Sequence, residues 1–416
     1  MAGAEPRRAR AAASAVPMSE RWLVATTEYA GVTAYTGGIG RHYAALLPAL
    51  AAQGVEIDLV VFADGDVAAR GAPGIRRLLI HPTGRMTRMS ALLHRARVVR
   101  SVFLGSSYDR VFVPEWMGVA ALLPADAPLV TNLATGARLA NDVSGLRLRD
   151  LPWGMRPAVA VQSLLEARQV RRSTAVIAIS QAMAERARAL WGPLPPTTVV
   201  PNCIDVAAVR RAASLGRLPA GWPVAAGPVV LFVGRAERRK GVVDAVDAFG
   251  QLAGVHPTAR LVVAGAGGDD RFEPSRAALL DRLPDRVRSR VTFLGHIAGD
   301  ELYGAIAAAD VAMCPSRWEG FGNAAVEVKA AGAPLVVTSG SGFDDFCTDG
   351  EDCLTASPGN PDSLARALAR TLDDALAAGD RVRRASSGVD RFSPDPIATS
   401  LRAAIDQLLG TAAVSA

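Results

Sequence analysis

Short apolar runs alternate with stretches of helical periodicity, and this pattern occurs twice along the chain. The first set lies at residues 22–26, 55–62, 111–113, 129–131, 175–179 and 197–200; the second lies at 229–233, 259–264, 291–294, 310–313 and 334–338. Strands buried on both faces read as continuous apolar runs, and parallel strands need crossover helices between them. The pattern therefore predicts an α/β fold of two Rossmann-like halves, joined by a Gly/Pro-rich bridge at 215–228. The 416 residues exceed what one core usually organises and suit two. The expected division is a disordered leader at 1–18, a first domain at 19–205, a second at 206–390 and a C-terminal segment at 391–416, with its helix around 396–409. Two such halves facing each other would form a cleft at the carboxyl ends of their strands, where ligands of open parallel sheets bind.

Residues 319–327 read Glu-Gly-Phe-Gly-Asn-Ala-Ala-Val-Glu. They follow an apolar run at 310–314 that ends at Pro315, and lead into a short apolar helix at 324–331 stopped by Gly332. A helix beginning there leaves the N–H groups of Phe321, Gly322 and Asn323 without intrahelical partners, a seat for an anionic or hydroxyl-rich ligand. Glu319 and Glu327 could both face that ligand. Acidic residues near a first helical turn also favour the macrodipole, and the local sequence leaves both readings open. Upstream, the run at 229–234 leads into Arg235-Ala-Glu-Arg-Arg-Lys240-Gly241 and a helical stretch at 242–252. Arg235 and Lys240 flank a strand-to-helix loop, where they could clamp a diphosphate and stabilise it on departure. A solvated basic loop is the other reading, since Arg238 and Arg239 lie there too. Of 46 basic residues only Lys240 and Lys329 are lysine. A lysine kept in so arginine-rich a chain suggests a need for a compact ammonium. No such need is legible for Lys329.

Together these residues resemble the retaining glycosyltransferases of family 4, which have the GT-B fold. The family signature is Glu-x7-Glu preceded by an Arg-x4-Lys pair, and both stand here at the expected separation. The resemblance runs from Arg21 to the C-terminus. Thr36-Gly-Gly-Ile-Gly40-Arg-His, followed by 44–53, looks like the glycine loop and first helix. Ile177-Ala-Ile-Ser180-Gln and Val199-Val-Pro-Asn202 resemble the end of the first domain. Residues 261–268, Phe293-Leu-Gly-His296 and 336–345 fit the second. The resemblance implies two facing Rossmann-like domains with an inter-domain cleft and a C-terminal crossover helix. It also implies a retaining, metal-independent bacterial hexosyltransferase that moves a sugar from a nucleoside diphosphate sugar, UDP by family prior, to a hydroxyl acceptor. That acceptor would be a small molecule, a lipid-linked species or a glycan of cell-envelope or specialised metabolism, and no cofactor is implied. By the same resemblance Arg235 and Lys240 neutralise the diphosphate, and Glu327 binds the donor ribose. Glu319 holds the transferred sugar with the N–H groups of Phe321, Gly322 and Asn323. Gly38 lets the backbone approach the donor, and the first domain holds the acceptor.

Two positions depart from the family pattern. The loop after 129–131 reads Asn132-Leu-Ala134-Thr135-Gly where a His is usual, so Asn132 or Thr135 is expected to supply the substitute hydrogen bond. Cys203 replaces the usual Gly after Pro-Asn. A non-catalytic paralogue acting as a partner subunit would account for the missing His. A GT-B sugar-nucleotide epimerase would not call for this pairing of motifs, and a pyridoxal phosphate phosphorylase would need one of only two lysines as its Schiff base.

The net charge of +6 comes from dispersed arginines, and aromatics make up only 5% of residues, so few platforms exist for base stacking and no nucleic-acid partner is expected. No run is apolar enough to span a bilayer. Cysteines 203, 314, 347 and 353 show no paired or metal-type spacing, which suits reduced thiols in a cytoplasm. Residues 1–18 lack the apolar core of a secretory signal, and Glu5 argues against a transit peptide. At 85–103, Met89, Leu92, Leu93, Ala96, Val99 and Phe103 follow helical spacing among arginines. That helix would either pack on the first sheet or touch an anionic membrane face peripherally. Asp64-Gly-Asp66 imitates a metal-binding Asp-x-Asp but reads as a turn. Histidines 42, 81, 94, 256 and 296 are dispersed, and no metal is assigned.

Overall fold

The computed structural model describes residues 19–414 apart from 35, 65–71, 225, 270 and 298. The expected leader at 1–18 and Asp66 lie outside the described residues. The first sheet is built from β1 (Arg21–Thr26), β2 (Glu56–Val61), β3 (Arg77–Ile80), β4 (Arg110–Pro114), β5 (Leu129–Leu133), β6 (Ala175–Ala178) and β7 (Thr197–Val199). The second comprises β8 (Val229–Val233), β9 (Arg260–Ala264), β10 (Val291–Gly295), β11 (Val311–Cys314), β12 (Leu335–Thr338) and β13 (Leu354–Ala356). Each apolar run expected to be a strand is one.

The strand orders are β3-β2-β1-β4-β5-β6-β7 and β10-β9-β8-β11-β12-β13. All pairings are parallel, with β1 joined to both β2 and β4 and β8 joined to both β9 and β11. The two halves thus share one winding, the second lacking only a counterpart of β7. In each, the strand order reverses beside the first strand, between β1 and β4 and between β8 and β11. Loops diverge there to opposite faces and leave a crevice. The two strands not legible in the sequence, β3 and β13, are sheet edges. Residues 77–80 are half-exposed and β13 spans only Leu354–Ala356, so neither makes a continuous apolar run.

The segment expected as a helix at 85–103 is the helix Arg88–Leu104, and its apolar face is already occupied. Ala91, Leu92, Ala96 and Val99 are buried, Val99 against Leu23 and Val111 of the first sheet and Leu92 against Ala121 and Leu165. Of its two expected placements, packing on the protein is the one seen. Among the described residues no helix is long and apolar enough to cross a membrane.

The last helix, Pro394–Val414, returns to the first domain. Its Ile397, Ala398, Leu401 and Ile405 sit in one core with Trp22, Leu46 and Leu50, and Arg402 Nη1 donates to Gln53 O at 2.8 Å. The chain therefore crosses between domains twice. The outgoing and returning crossings touch, since Ile204 N–H donates to Phe392 O at 2.8 Å and both side chains are buried.

Candidate active site

On the second domain, the loops after β8 and β11 meet at the switch point. Gly241 has φ +78°, and a Cβ there would lie 1.9 Å from Pro315 O, so only glycine lets the loops approach. This contact carries Lys240 onto Glu319: the Lys240 ammonium pairs with Glu319 Oε1, which also accepts from Ser316 Oγ at 2.8 Å. Burial acts to raise the Glu319 carboxyl, but the charges of Lys240 and then Arg239, with hydrogen bonds from Lys240 and Ser316, hold it below its ordinary value. Arg235 lies on the same side, half-exposed, its Nη2 2.7 Å from Glu237 Oε1.

The helix Asn323–Ala331 starts at Gly322 and stops at Gly332, both left-handed. A Cβ on Gly322 would sit 2.2 Å from the Phe343 ring, which explains why the turn is Gly-Phe-Gly-Asn. No side chain caps this N-terminus, and among the described residues no acceptor is recorded for the N–H of Phe321, Gly322 or Asn323. The three residues line the cleft. One turn on, the buried Glu327 Oε1 accepts from Arg41 Nη1 at 2.7 Å and from Tyr303 O–H at 3.3 Å. Burial, then the charge of Glu327, pushes the Tyr303 phenol up, so it remains a donor.

The first domain closes the other side. Asn323 Nδ2 donates to Gly38 O at 3.4 Å, and Asn202 Nδ2 to Asn323 Oδ1 at 3.0 Å. Ser180 O–H donates to Gly320 O at 2.5 Å and Gln181 N–H to Asp345 Oδ2 at 2.8 Å. Between the domains lies a cavity of about 980 Å³. All ten residues singled out from sequence line it: Gly38, Asn132, Thr135, Arg235, Lys240, Glu319, Phe321, Gly322, Asn323 and Glu327. Sequence reasoning missed Arg41, Tyr303 and Ser316. Arg41 stands within the quoted stretch Thr36–His42 without having been given a role, and Ser316 precedes Glu319 by three residues, whereas nothing local marks Tyr303.

The loop without the usual His has a different support. Glu115, fully buried after β4, accepts the consecutive N–H groups of Ala134, Thr135 and Gly136 at 2.5, 2.7 and 2.6 Å. Glu166, also buried, accepts from Ala137 N–H at 2.8 Å and Met117 N–H at 3.1 Å. Burial, opposed by a hydrogen bond from Gln162 and reinforced by the charge of Glu115, pushes Glu166 up to about 8. Held this way, Thr135 has φ +121°, a conformation a β-branched residue rarely takes. Its hydroxyl would lie 3.2 Å from a Cβ on Gly320, so it faces the Gly-Phe-Gly-Asn turn of the second domain across the cleft. Asn132 is less free: its Nδ2 donates to Ile177 O at 3.4 Å on the neighbouring strand.

Other sequence features resolve around this frame. Cys203 is buried and its N–H donates to His42 Nδ1 at 3.0 Å, which puts the imidazole proton on Nε2. Burial lowers His42 from 6.5 to about 4. A folded-state value below the unfolded one gives stability that is present above pH 6.5 and lost as pH falls towards 4. The melting temperature is expected to drop across that window, and His42→Asn, which keeps an acceptor but cannot titrate, should flatten this part of the curve. Lys329 proves to be buried, with Nζ donating to Phe346 O at 2.6 Å and Asp352 Oδ2 at 2.7 Å. Asp64 Oδ1 accepts from the N–H groups of Thr83 and Gly84 on a loop about 20 positions downstream, while the rest of the expected turn, Gly65 and Asp66, lies outside the described residues.

Comparison with known proteins agrees with this fold. Residues 36–208 match the family described as Glycosyltransferase Family 4, and residues 227–374 match the one described as Glycosyl transferases group 1. A glycogen synthase of Mycobacterium tuberculosis is 34% identical over 291 residues, 67% of this chain and 63% of that protein. The match thus spans a little under two thirds of that relative. Sucrose-phosphate synthase from Thermosynechococcus elongatus superposes with a TM-score of 0.75 at 21% identity, covering 94% of this chain and all of that one. Anabaena HepE, solved in complex with UDP-glucose, superposes with a TM-score of 0.68 at 19% identity over 94% of this chain and 99% of its own.

Proposed function

The chain belongs to the family 4 glycosyltransferases of GT-B fold, and from that premise we propose that it transfers a sugar, with retention and without a metal, from a UDP-sugar to a hydroxyl acceptor. The observation that carries this reading is the Lys240–Glu319 pair beside three open N–H groups at a helix start. A departing diphosphate needs positive charge, and Lys240 with Arg235 supplies it on one side of the cavity. The sugar's hydroxyls need both an acceptor and donors, and Glu319 and the N–H groups of Phe321, Gly322 and Asn323 supply these. Glu327, Arg41 and Tyr303 form the place for the ribose hydroxyls. A ribose diol that donates to Glu327 takes the oxygen Arg41 now uses, and releases that guanidinium towards the phosphates.

In the reaction the bond from the anomeric carbon to the diphosphate oxygen breaks and the bond to the acceptor oxygen forms on the same face. The acceptor proton passes to the departing phosphate. Charge builds mainly on the leaving group, so its stabilisation is the principal catalytic contribution and no separate general base is required. The choice of UDP takes support from HepE, whose structure holds UDP-glucose. The acceptor is assigned only as a hydroxyl compound bound by the first domain.

The test is nucleotide release from a panel of nucleoside diphosphate sugars, with and without hydroxyl acceptors and with EDTA present. Acceptor-dependent UDP release that EDTA does not slow, with an α-linked product by NMR from an α-linked donor, is the expected result. A β-linked product would overturn retention, restoration of activity by Mg²⁺ would overturn metal independence, and nucleotide binding without release would mark a non-catalytic paralogue. Glu327→Ala should raise the donor KM by about ten- to a hundredfold with a smaller change in kcat, because ribose contacts exist in ground and transition states alike.

A further inference from the structure

Two of the four cysteines, unremarkable at their spacing in sequence, meet in the fold. Cys347 and Cys353 flank the tight turn that precedes β13, and their sulfurs lie within 4.8 Å of each other and of an Asp352 carboxylate oxygen. The turn is well braced: Gly350 N–H donates to Cys353 O at 2.9 Å, Thr348 N–H to Asp352 Oδ1 at 2.9 Å, and Cys347 N–H to Phe343 O at 2.8 Å. Residues 348–351 above the thiols are exposed, while Cys347 is 8% and Cys353 0% exposed. Cys203 and Cys314 are buried too, Cys203 beside His42. Cys314, at the end of β11, shares a core with the pair and feels the charge of Cys347, but its sulfur does not join the cluster of Cys347, Asp352 and Cys353.

We propose that Cys347 and Cys353 are a dithiol/disulfide pair, a site of reversible oxidation one aromatic layer beneath the donor-side turn. A disulfide needs its sulfurs at about 2.05 Å, so the remaining gap is closed by rotation about the Cα–Cβ bonds together with any adjustment of the exposed turn at 348–351. The alternative suggested by the same atoms, a metal held by two thiolates and Asp352, is disfavoured by its surroundings. Asp352 Oδ2 is already bound by the buried Lys329 ammonium at 2.7 Å, so a cation would be placed beside a cation. The Cys353 thiol is pushed up, first by its hydrogen-bonded contact with Cys347 and then by burial, which opposes a thiolate at rest. Joining the two sulfurs in a neutral disulfide adds no buried charge.

The oxidant is a peroxide or a low-molecular-weight disulfide. With hydrogen peroxide, the sulfur of Cys347, the more exposed of the two, attacks one oxygen and water leaves, giving a sulfenic acid. The Cys353 sulfur then attacks that sulfur and a second water leaves. Overall, two thiols lose two protons and two electrons, and one peroxide becomes two waters. The position gives the bond a structural reach. Phe346, next to Cys347, packs against Phe321 with centroids 4.9 Å apart and the rings tilted by 42°, and Phe343 fills the space above Gly322.

The test uses the full-length protein, exposed to hydrogen peroxide or to glutathione disulfide, then unfolded in an alkylating agent and mapped by mass spectrometry. Expected is loss of two of the four alkylatable thiols. A Cys347–Cys353 linked peptide should appear, Cys203 and Cys314 should remain alkylated, and dithiothreitol should restore all four. Cys353→Ser should convert the product to over-oxidised or glutathionylated Cys347. Four alkylatable thiols after prolonged oxidation, or thiols protected by co-purifying stoichiometric zinc, would overturn the proposal. Because the readout is thiol chemistry, it stands apart from whether sugar transfer occurs.

Discussion

Lys240→Ala is expected to lower kcat by about a hundred- to a thousandfold, the usual effect of removing one preorganised charge from a site where charge develops. The ammonium faces the cavity and is fixed by Glu319 and the loop contact at Gly241, so it needs no reorganisation as the diphosphate leaves. The donor KM should change far less than kcat. A second effect accompanies the first, because Glu319 is left buried without its partner. Breaking a buried pair costs about 3–5 kcal/mol, and the 23% exposure of the Lys240 side chain places this case at the lower end. Thermal melting of the variant separates the two, and double replacement with Glu319→Gln should recover stability without recovering rate. Lys240→Arg restores charge but not fit, since a planar guanidinium must take the ammonium's place beside a Glu319 oxygen that Ser316 already bonds. Wild-type turnover in Lys240→Arg would dispose of the need for a compact ammonium.

Glu115→Ala should be the most damaging change on the first-domain side. It removes the acceptor of three consecutive N–H groups, and each buried group left unpaired costs about 1–3 kcal/mol, partly offset by no longer burying the carboxylate. Without that anchor Thr135 is free to leave its positive φ, a conformation that itself costs on the order of 1–3 kcal/mol. The expected outcome is a lowered melting temperature together with a loss of kcat larger than the loss of stability explains at assay temperature. Thr135→Gly makes the complementary check. Glycine accepts φ +121° without strain, so the variant should melt higher than the parent yet turn over more slowly, having lost the hydroxyl opposite Gly320. A fall in melting temperature for Thr135→Gly would show that the loop is not strained.

Why the sequence was readable in some places and silent in others follows from the range of the interactions involved. The interior strands were legible because burial on both faces demands unbroken apolar runs, whereas β3 and β13 carry only half that demand. Both motifs on the second domain were legible because a strand, a glycine-rich loop and a helix start are local objects. Arg41 and Tyr303 reach Glu327 from other elements, Arg41 from the other domain, and no local pattern encodes a contact made by folding. The same limit hid Glu115, which supports a loop roughly 20 positions downstream through backbone groups that carry no residue identity. It also hid the use of Lys329 and the meeting of Cys347 with Cys353, where the turn closes a gap that spacing alone left unremarked.

The touching pair of inter-domain crossings limits how the cleft can open. A single connecting segment is a tether, about which two bodies can swing, slide or spin. Two segments laid side by side and bonded through Ile204 and Phe392 behave as a strap hinge, which bends readily across its line but resists twist and shear. Opening is then close to a single angular coordinate. The Arg41–Glu327, Asn202–Asn323, Ser180–Gly320 and Gln181–Asp345 contacts must part together, and the gap between Thr135 and Gly320 widens with them. Whatever fills the second-domain half of the cleft therefore also sets the width of the first-domain half by leverage, with no chain of side chains needed to carry the signal.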